Sequence, residues 1–112
     1  MAHNVDGIWS LVQSNGFVVT VDIQQPRDPN GHLADGPLNG AAKIPGLFDL
    51  PIAETNLTGM LRGEDFEFRA DWPNETKGQY EGRFDPVGRL SGITFDLANP
   101  GSQATWFRRD EF

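Results

Sequence analysis

In four places along this chain a bulky residue is followed two positions later by glycine: Leu38 and Gly40, Leu57 and Gly59, Tyr80 and Gly82, Leu90 and Gly92. A β-strand turns successive side chains to opposite faces, so each of these glycines shares a face with the bulky residue before it. Glycine inside a strand weakens it, yet it permits strong coiling and close approach of neighbouring backbones. That is how a small sheet bends far enough to close on itself. A closed barrel of about eight strands has an interior just wide enough for side chains or for one small ligand. The glycines therefore either make the curvature possible or make room inside.

The strands around them follow a period of two. In "GFVVTVDIQ", Phe17, Val19, Val21 and Ile23 share one face while Val18, Thr20, Asp22 and Gln24 share the other. In "EDFEFRADW", Phe66, Phe68, Ala70 and Trp72 alternate with Asp65, Glu67, Arg69 and Asp71, a clean inside-outside pattern. Further strands are expected near 7–13, 37–44, 56–62, 77–85, 88–97 and 101–108, and no window keeps a helical period. The links between them are short and rich in Gly, Asn, Asp and Pro, which makes consecutive strands antiparallel neighbours. Two stretches are longer. "QPRDPNGHLADG", from Gln25 to Gly36, reads as an exposed loop, and "PGLFDLPIAET" brings Leu47, Phe48 and Leu50 back over some other part of the molecule. The expectation is a single all-β domain over residues 1–112, an eight-stranded antiparallel up-and-down β-barrel.

Composition narrows the chemistry. The chain of 112 residues has a formal net charge of −7, and no basic run exceeds the pair Arg108 and Arg109, so nucleic acid is not an expected partner. The absence of cysteine removes disulfides, thiolate metal sites and a Cys nucleophile. His3 and His32 have no ligand spacing around them, so neither a metal site nor a cofactor is expected. Serines 10, 14, 91 and 102 lack a nucleophile elbow. The start "MAHNVDG" lacks the pattern of a signal peptide, and no apolar run is long enough for a membrane-spanning helix, so a soluble domain, cytoplasmic by default, is expected.

Several landmarks, taken in order, resemble the avidin and streptavidin family. "GIWSLVQSNGFVVTV" is similar to that family's G-x-W first strand and F-[IV]-V-T second strand; "LNG" at 38–40 to its L-T-G third strand; "ADWPN" at 70–74 to its A-W-x-N strand end; "GQYEG" at 78–82 to its G-Q-Y-x-G sixth strand; and "ATWFRRDEF" to its terminal A-x-W followed by D-x-F. The resemblance spans nearly the whole chain. It implies an up-and-down barrel, often a dimer or tetramer, that holds biotin at one open end.

Most of the family's biotin contacts are not retained. Its Asn two places after the first-strand Trp is Leu11 here, and its third-strand Tyr and Ser are Ala42 and Ile44. Its first-turn Ser becomes Asn15, with Ser14 adjacent. The Ser-x-Thr-x-Trp stretch before the sixth strand has shrunk to "NETK". Trp72 matches the family's pocket Trp, Trp106 the last-strand Trp that reaches a neighbouring subunit's ligand, and Asp110 the final polar contact if a gap is allowed. Each lost polar partner of a buried carbonyl costs roughly 1–3 kcal/mol, so biotin is expected to bind weakly or not at all.

The seventh strand can be read in two registers. Aligning aromatics places Phe95 in the pocket, whereas the Leu90 and Gly92 face continues through Thr94 and Asp96 and turns Ile93, Phe95 and Leu97 outward. The second register is preferred. It makes Asp96 an interior or rim carboxylate, held by Tyr80, by the turn at "NPGS", or simply capping the strand end. It also leaves an apolar outer stripe suited to a homodimer or tetramer. A ligand-binding barrel would then use Asn15, Phe17, Phe68, Trp72, Tyr80, Thr94, Asp96 and Trp106, an aromatic wall with a few polar anchors. Trp9 is expected to plug the closed end instead. The alternatives are a small barrel enzyme of cyclase or isomerase type with Asp96 as acid or base, and a barrel filled by its own side chains.

Overall fold

A computed structural model describes residues 2–14, 16–44, 53–72, 77–97 and 99–109. The strands are β1 (Gly7–Gln13), β2 (Val18–Gln24), β3 (Gly36–Ile44), β4 (Ala53–Arg62), β5 (Asp65–Asp71), β6 (Lys77–Phe84), β7 (Leu90–Asp96) and β8 (Asn99–Arg109). Each pairs antiparallel with the next, and β8 returns to β1 through Ser10↔Arg109 to Gln13↔Trp106, closing an up-and-down barrel. No helix occurs among the described residues. Several boundaries shift by one to three residues from expectation, two of them with a clear pairing reason. β4 begins at Ala53, inside the stretch read as a loop, because residues 53–55 pair with Ala42, Lys43 and Ile44. β8 runs on to Arg109, where β1 supplies a partner.

Alternation decides what lies inside. The interior is formed by Trp9 and Leu11 of β1, Val19, Val21 and Ile23 of β2, Leu38 and Ala42 of β3, Leu57 and Leu61 of β4, and Phe66, Phe68 and Ala70 of β5, all buried. Tyr80, Phe84, Leu90 and Trp106 complete it from β6, β7 and β8. Burying each large apolar side chain contributes about 1.5–3 kcal/mol. The seventh strand takes the preferred register: Leu90 and Thr94 are buried, Ile93 and Phe95 lie half-buried on the outer wall, and the pairing with β8 is irregular between Thr94 and Asp96.

The glycines serve two purposes. A Cβ at Gly40, Gly59 or Gly92 would collide with the carbonyl oxygen of Asp22, Glu67 or Glu81 on the adjoining strand, so these three admit the neighbouring backbone and let the sheet coil. At Gly82 it would fall 2.7 Å from ring carbons of Trp106, and at Gly78 3.1 Å from the indole nitrogen of Trp72 and from the Tyr80 ring. The room these two make is taken by the protein's own aromatic rings.

The end carrying the β2–β3, β4–β5 and β6–β7 connections is sealed. The N-terminal segment crosses it: Val5 is fully buried, its carbonyl accepts the Trp9 indole N–H at 3.0 Å, and His3 stacks on Phe84 with ring centroids 4.0 Å apart. Gln25, which the sequence assigned to an exposed loop, is buried and fastens this strap. Its Oε1 accepts from the Val5 amide at 2.9 Å, and its Nε2 donates to the carbonyls of His3 and Ala34. A chain crossing a barrel end has backbone groups that no ladder satisfies, and one buried amide side chain with both donor and acceptor meets several of them.

Two of the connections at this end share one design. In Asp28-Pro-Asn-Gly-His32 and in Asp85-Pro-Val-Gly-Arg89 the aspartate Oδ1 accepts two backbone amides, from Asn30 and His32 or from Val87 and Arg89, at 2.8–3.0 Å. Each turn needs its glycine at positive φ, 84° at Gly31 and 89° at Gly88. The Arg89 amide, helped by its guanidinium and by the Val87 amide, holds the Asp85 carboxyl below the usual carboxylate range.

Candidate functional site

The opposite end carries the β1–β2, β3–β4, β5–β6 and β7–β8 connections. β5 and β6 deliver Phe68 and Tyr80 side by side, their rings stacked with centroids 4.4 Å apart. The Tyr80 hydroxyl donates to Gln13 Oε1 at 3.2 Å and is hydrogen-bonded to the side chains of Thr94 and Trp72. All three partners are buried. Burial pushes the Tyr80 phenol up to about 12, with the Thr94 and Trp72 bonds pulling the other way. It is therefore a neutral donor at any ordinary pH. Among the described residues no buried side-chain nitrogen or oxygen lacks a hydrogen-bond partner.

The expected site residues thus divide. Phe68, Trp72, Tyr80 and Thr94 come together, buried, at this end, and Phe17 lies half-buried at the same end. Trp106 is deeper. Its indole lies over Gly82, 6.1 Å from Phe66, and donates to the Ile93 carbonyl at 2.9 Å, so it belongs to the packed interior. Asp96 is half-buried at the end of β7 and accepts from the Lys77 amide at 3.3 Å, while the hydrogen bonds of Tyr80 go to Gln13, Thr94 and Trp72. Asn15 and Asp110 lie outside the described residues. Leu11 and Ala42, which stand where the resembled family has polar groups, are fully buried. Trp9 plugs the closed end as expected, tilted against Phe66 with the Arg108 guanidinium 4.7 Å above its ring.

Gln13 is the residue the sequence reading missed. In "GIWSLVQ" it continues the inward face of Trp9 and Leu11, and a lone amide on an otherwise apolar face was the available signal.

Elsewhere, a groove of about 520 Å³ crosses the outer wall over Gln24, Asn39, Gly40 and Asn56, and another of about 460 Å³ lies at the closed end beside His3, Asp28 and Glu64. Both are open and lack the aromatic wall of the mouth. No group of His, Cys, Asp and Glu suited to a metal ion occurs among the described residues, and no helix there is long and apolar enough to cross a membrane.

The fold defines the class: a small closed up-and-down β-barrel, consistent with a calycin-like fold. Comparison of the chain with protein-family models, curated proteins and solved structures finds no match.

Proposed function

We propose that this chain is a small-molecule-binding barrel, with the ligand held at the open end. The observation that carries the reading is the asymmetry of polar groups. A cluster of uncharged hydrogen-bonding side chains, Gln13, Trp72, Tyr80 and Thr94, backs onto the stacked Phe68 and Tyr80 rings at the end opposite the Gln25 strap, the mixture expected of a ligand pocket. The Tyr80 to Gln13 bond, at 3.2 Å, is long for an O–H to O contact, and so is the one a ligand exchanges at least cost. Native mass spectrometry of protein purified from its own host is expected to show a co-purified small molecule. Apo protein at every charge state, with no ligand recovered on denaturation, counts against the reading.

The avidin-like resemblance belongs to this proposal, without its ligand. Leu11 and Ala42 offer no polar side chain to a ureido group, so calorimetry is expected to show no biotin binding tighter than about 1 µM. The Asp96 carboxylate, the candidate acid or base of the enzyme alternative, accepts from the Lys77 backbone amide at 3.3 Å.

The proposal includes self-association through the outer wall of β7 and β8. Phe107, which is 53% exposed, pairs with Val12 of β1, which pairs in turn with Val18, and Ile93 stands diagonally across from it on β7, opposite Thr105, with Phe95 farther along the same face. A contiguous apolar strip on so small a domain is suited to a two-fold contact. Sedimentation is expected to give a dimer or tetramer that Phe95→Glu reduces to a smaller, still folded species. A wild type that is monomeric at tens of micromolar sinks this part.

A further inference from the structure

The strap across the closed end, residues 2–6, belongs to no strand and is held the way a bound peptide is held. Gln25 engages two of its backbone groups at once: Oε1 accepts from the Val5 amide at 2.9 Å, and Nε2 donates to the His3 carbonyl at 2.8 Å. The Trp9 indole N–H donates to the Val5 carbonyl at 3.0 Å, and the Arg108 guanidinium donates to the Asn4 carbonyl at 2.6 Å. Each of these bonds joins a barrel side chain to the strap's main chain, so together they fit an extended backbone of any sequence. Side chains add the choice. Val5 is fully buried and His3 lies flat on Phe84, so this end takes a β-branched residue and, two positions before it, a ring. Beside Ala2 and His3 the groove of about 460 Å³, bounded by Asp28, Leu33 and Glu64, remains open. The strap joins β1 at Gly7, whose φ of 92° suits glycine, and the ladder with β2 begins only there, at Gly7↔Ile23. A turn at Gly7 therefore releases the strap and leaves the barrel's own pairing intact.

We propose that the closed end is a peptide-binding site, filled in this structure by the chain's own His3, Asn4 and Val5, and that an extended segment of another protein, with a ring two residues before a β-branched residue, takes the strap's place. The open groove favours this occupant over the strap of a second copy, because a longer segment fills it and a second strap leaves it as the first does. Binding here requires no ligand at the opposite end. Tethered beside its own site, the strap competes at an effective concentration on the order of millimolar. A segment in trans wins by using the groove as well, or when the strap is weakened at Val5.

The test titrates a synthetic peptide with the strap's own sequence, acetyl-Ala-His-Asn-Val-Asp-amide, into the isotope-labelled full chain, read by NMR at the Trp9 indole N–H. In Val5→Ser, with Val5→Ala as a second variant should the first not fold, the peptide is expected to return that signal to its wild-type position with a dissociation constant on the order of 1 mM. The wild type should need at least about tenfold more peptide. Lengthening the peptide at its amino end, toward the groove, should tighten binding at least about threefold. A peptide with glycine in place of its valine should have no effect, and neither should the strap peptide on Val5→Ser combined with Gln25→Leu. If the Trp9 signal of Val5→Ser stays unmoved at about 10 mM peptide, or the glycine peptide moves it equally, the closed end is a packed cap and the proposal fails. It fails too if Val5→Ser leaves the signal where the wild type has it, since Val5 then does not hold the strap. A wild-type dimer that survives Phe95→Glu but not Gln25→Leu would give the site to a second copy's strap and overturn the separate partner.

Discussion

The two ends of the barrel are made of different chemistry. At the closed end stand Arg27, Arg62, Arg83, Arg89, Arg108 and Arg109, with His3 and His32, and the described carboxylates there are engaged: Asp6 by Arg27, Asp28 by His32, Glu64 and Asp65 by Arg83, Asp85 by Arg89, and Asp35 by the Gly63 amide. Most of these ion pairs are exposed and contribute little individually; the sealing depends on Trp9, Val5 and the Gln25 network beneath them. At the open end the interior polar groups are neutral, and the connections carry acids without bases. One end is fastened by the Gln25 amide, and the other gathers the Tyr80 hydroxyl with Gln13, Thr94 and Trp72.

The comparison is broken most severely at the closed end. Trp9→Ala removes the plug and the surface that packs on Phe66, and is expected to cost about 3–5 kcal/mol in chemical denaturation; a loss below 1 kcal/mol would mean that Trp9 does not hold the seal. Next comes Gln25→Leu, which strands the Val5 amide and two carbonyls for about 1–3 kcal/mol. Hydrogen exchange should then quicken at Val5 first. Uniform exchange across the barrel would show that the strap is not a separate latch.

At the mouth the effects should be smaller in stability and larger in binding. Tyr80→Phe removes the hydroxyl's bond to Gln13 Oε1 and is expected to cost about 1–2 kcal/mol. It should also change the alkaline limb. The folded-state pKa of Tyr80 lies above its unfolded value, so its contribution is fully present below about pH 10 and is lost as pH rises toward about 12. Wild type should lose stability more steeply over that window than Tyr80→Phe, in which the lysines and arginines still titrate. Parallel curves would place the phenol in water. The smallest effect is Asp96→Asn, expected within about 0.5 kcal/mol in chemical denaturation.

How much of this was legible beforehand depends on whether the signal was local. The inward faces of β2 and β5 stood in the alternation of Val19, Val21, Ile23 and of Phe66, Phe68, Ala70, because a strand's period depends on nothing beyond the strand. The β7 register was legible from Leu90 and Gly92 for the same reason. The Gln13 to Tyr80 contact was not, since it joins residues 67 positions apart. Likewise, Gln25 looked like loop because its partners, Val5 and His3, come from the far end of β1.

By itself the sequence determined the class of fold: period-two faces, turn residues between them and glycines on the inner face leave little besides a small coiled β-sheet. Only the tertiary structure decided what those glycines are for, admitting neighbouring backbones at Gly40, Gly59 and Gly92 and indole rings at Gly78 and Gly82. It also decided which end is sealed. Periodicity is a property of one strand, whereas the space beside a glycine and the partner of a buried amide depend on which strands become neighbours and in what register.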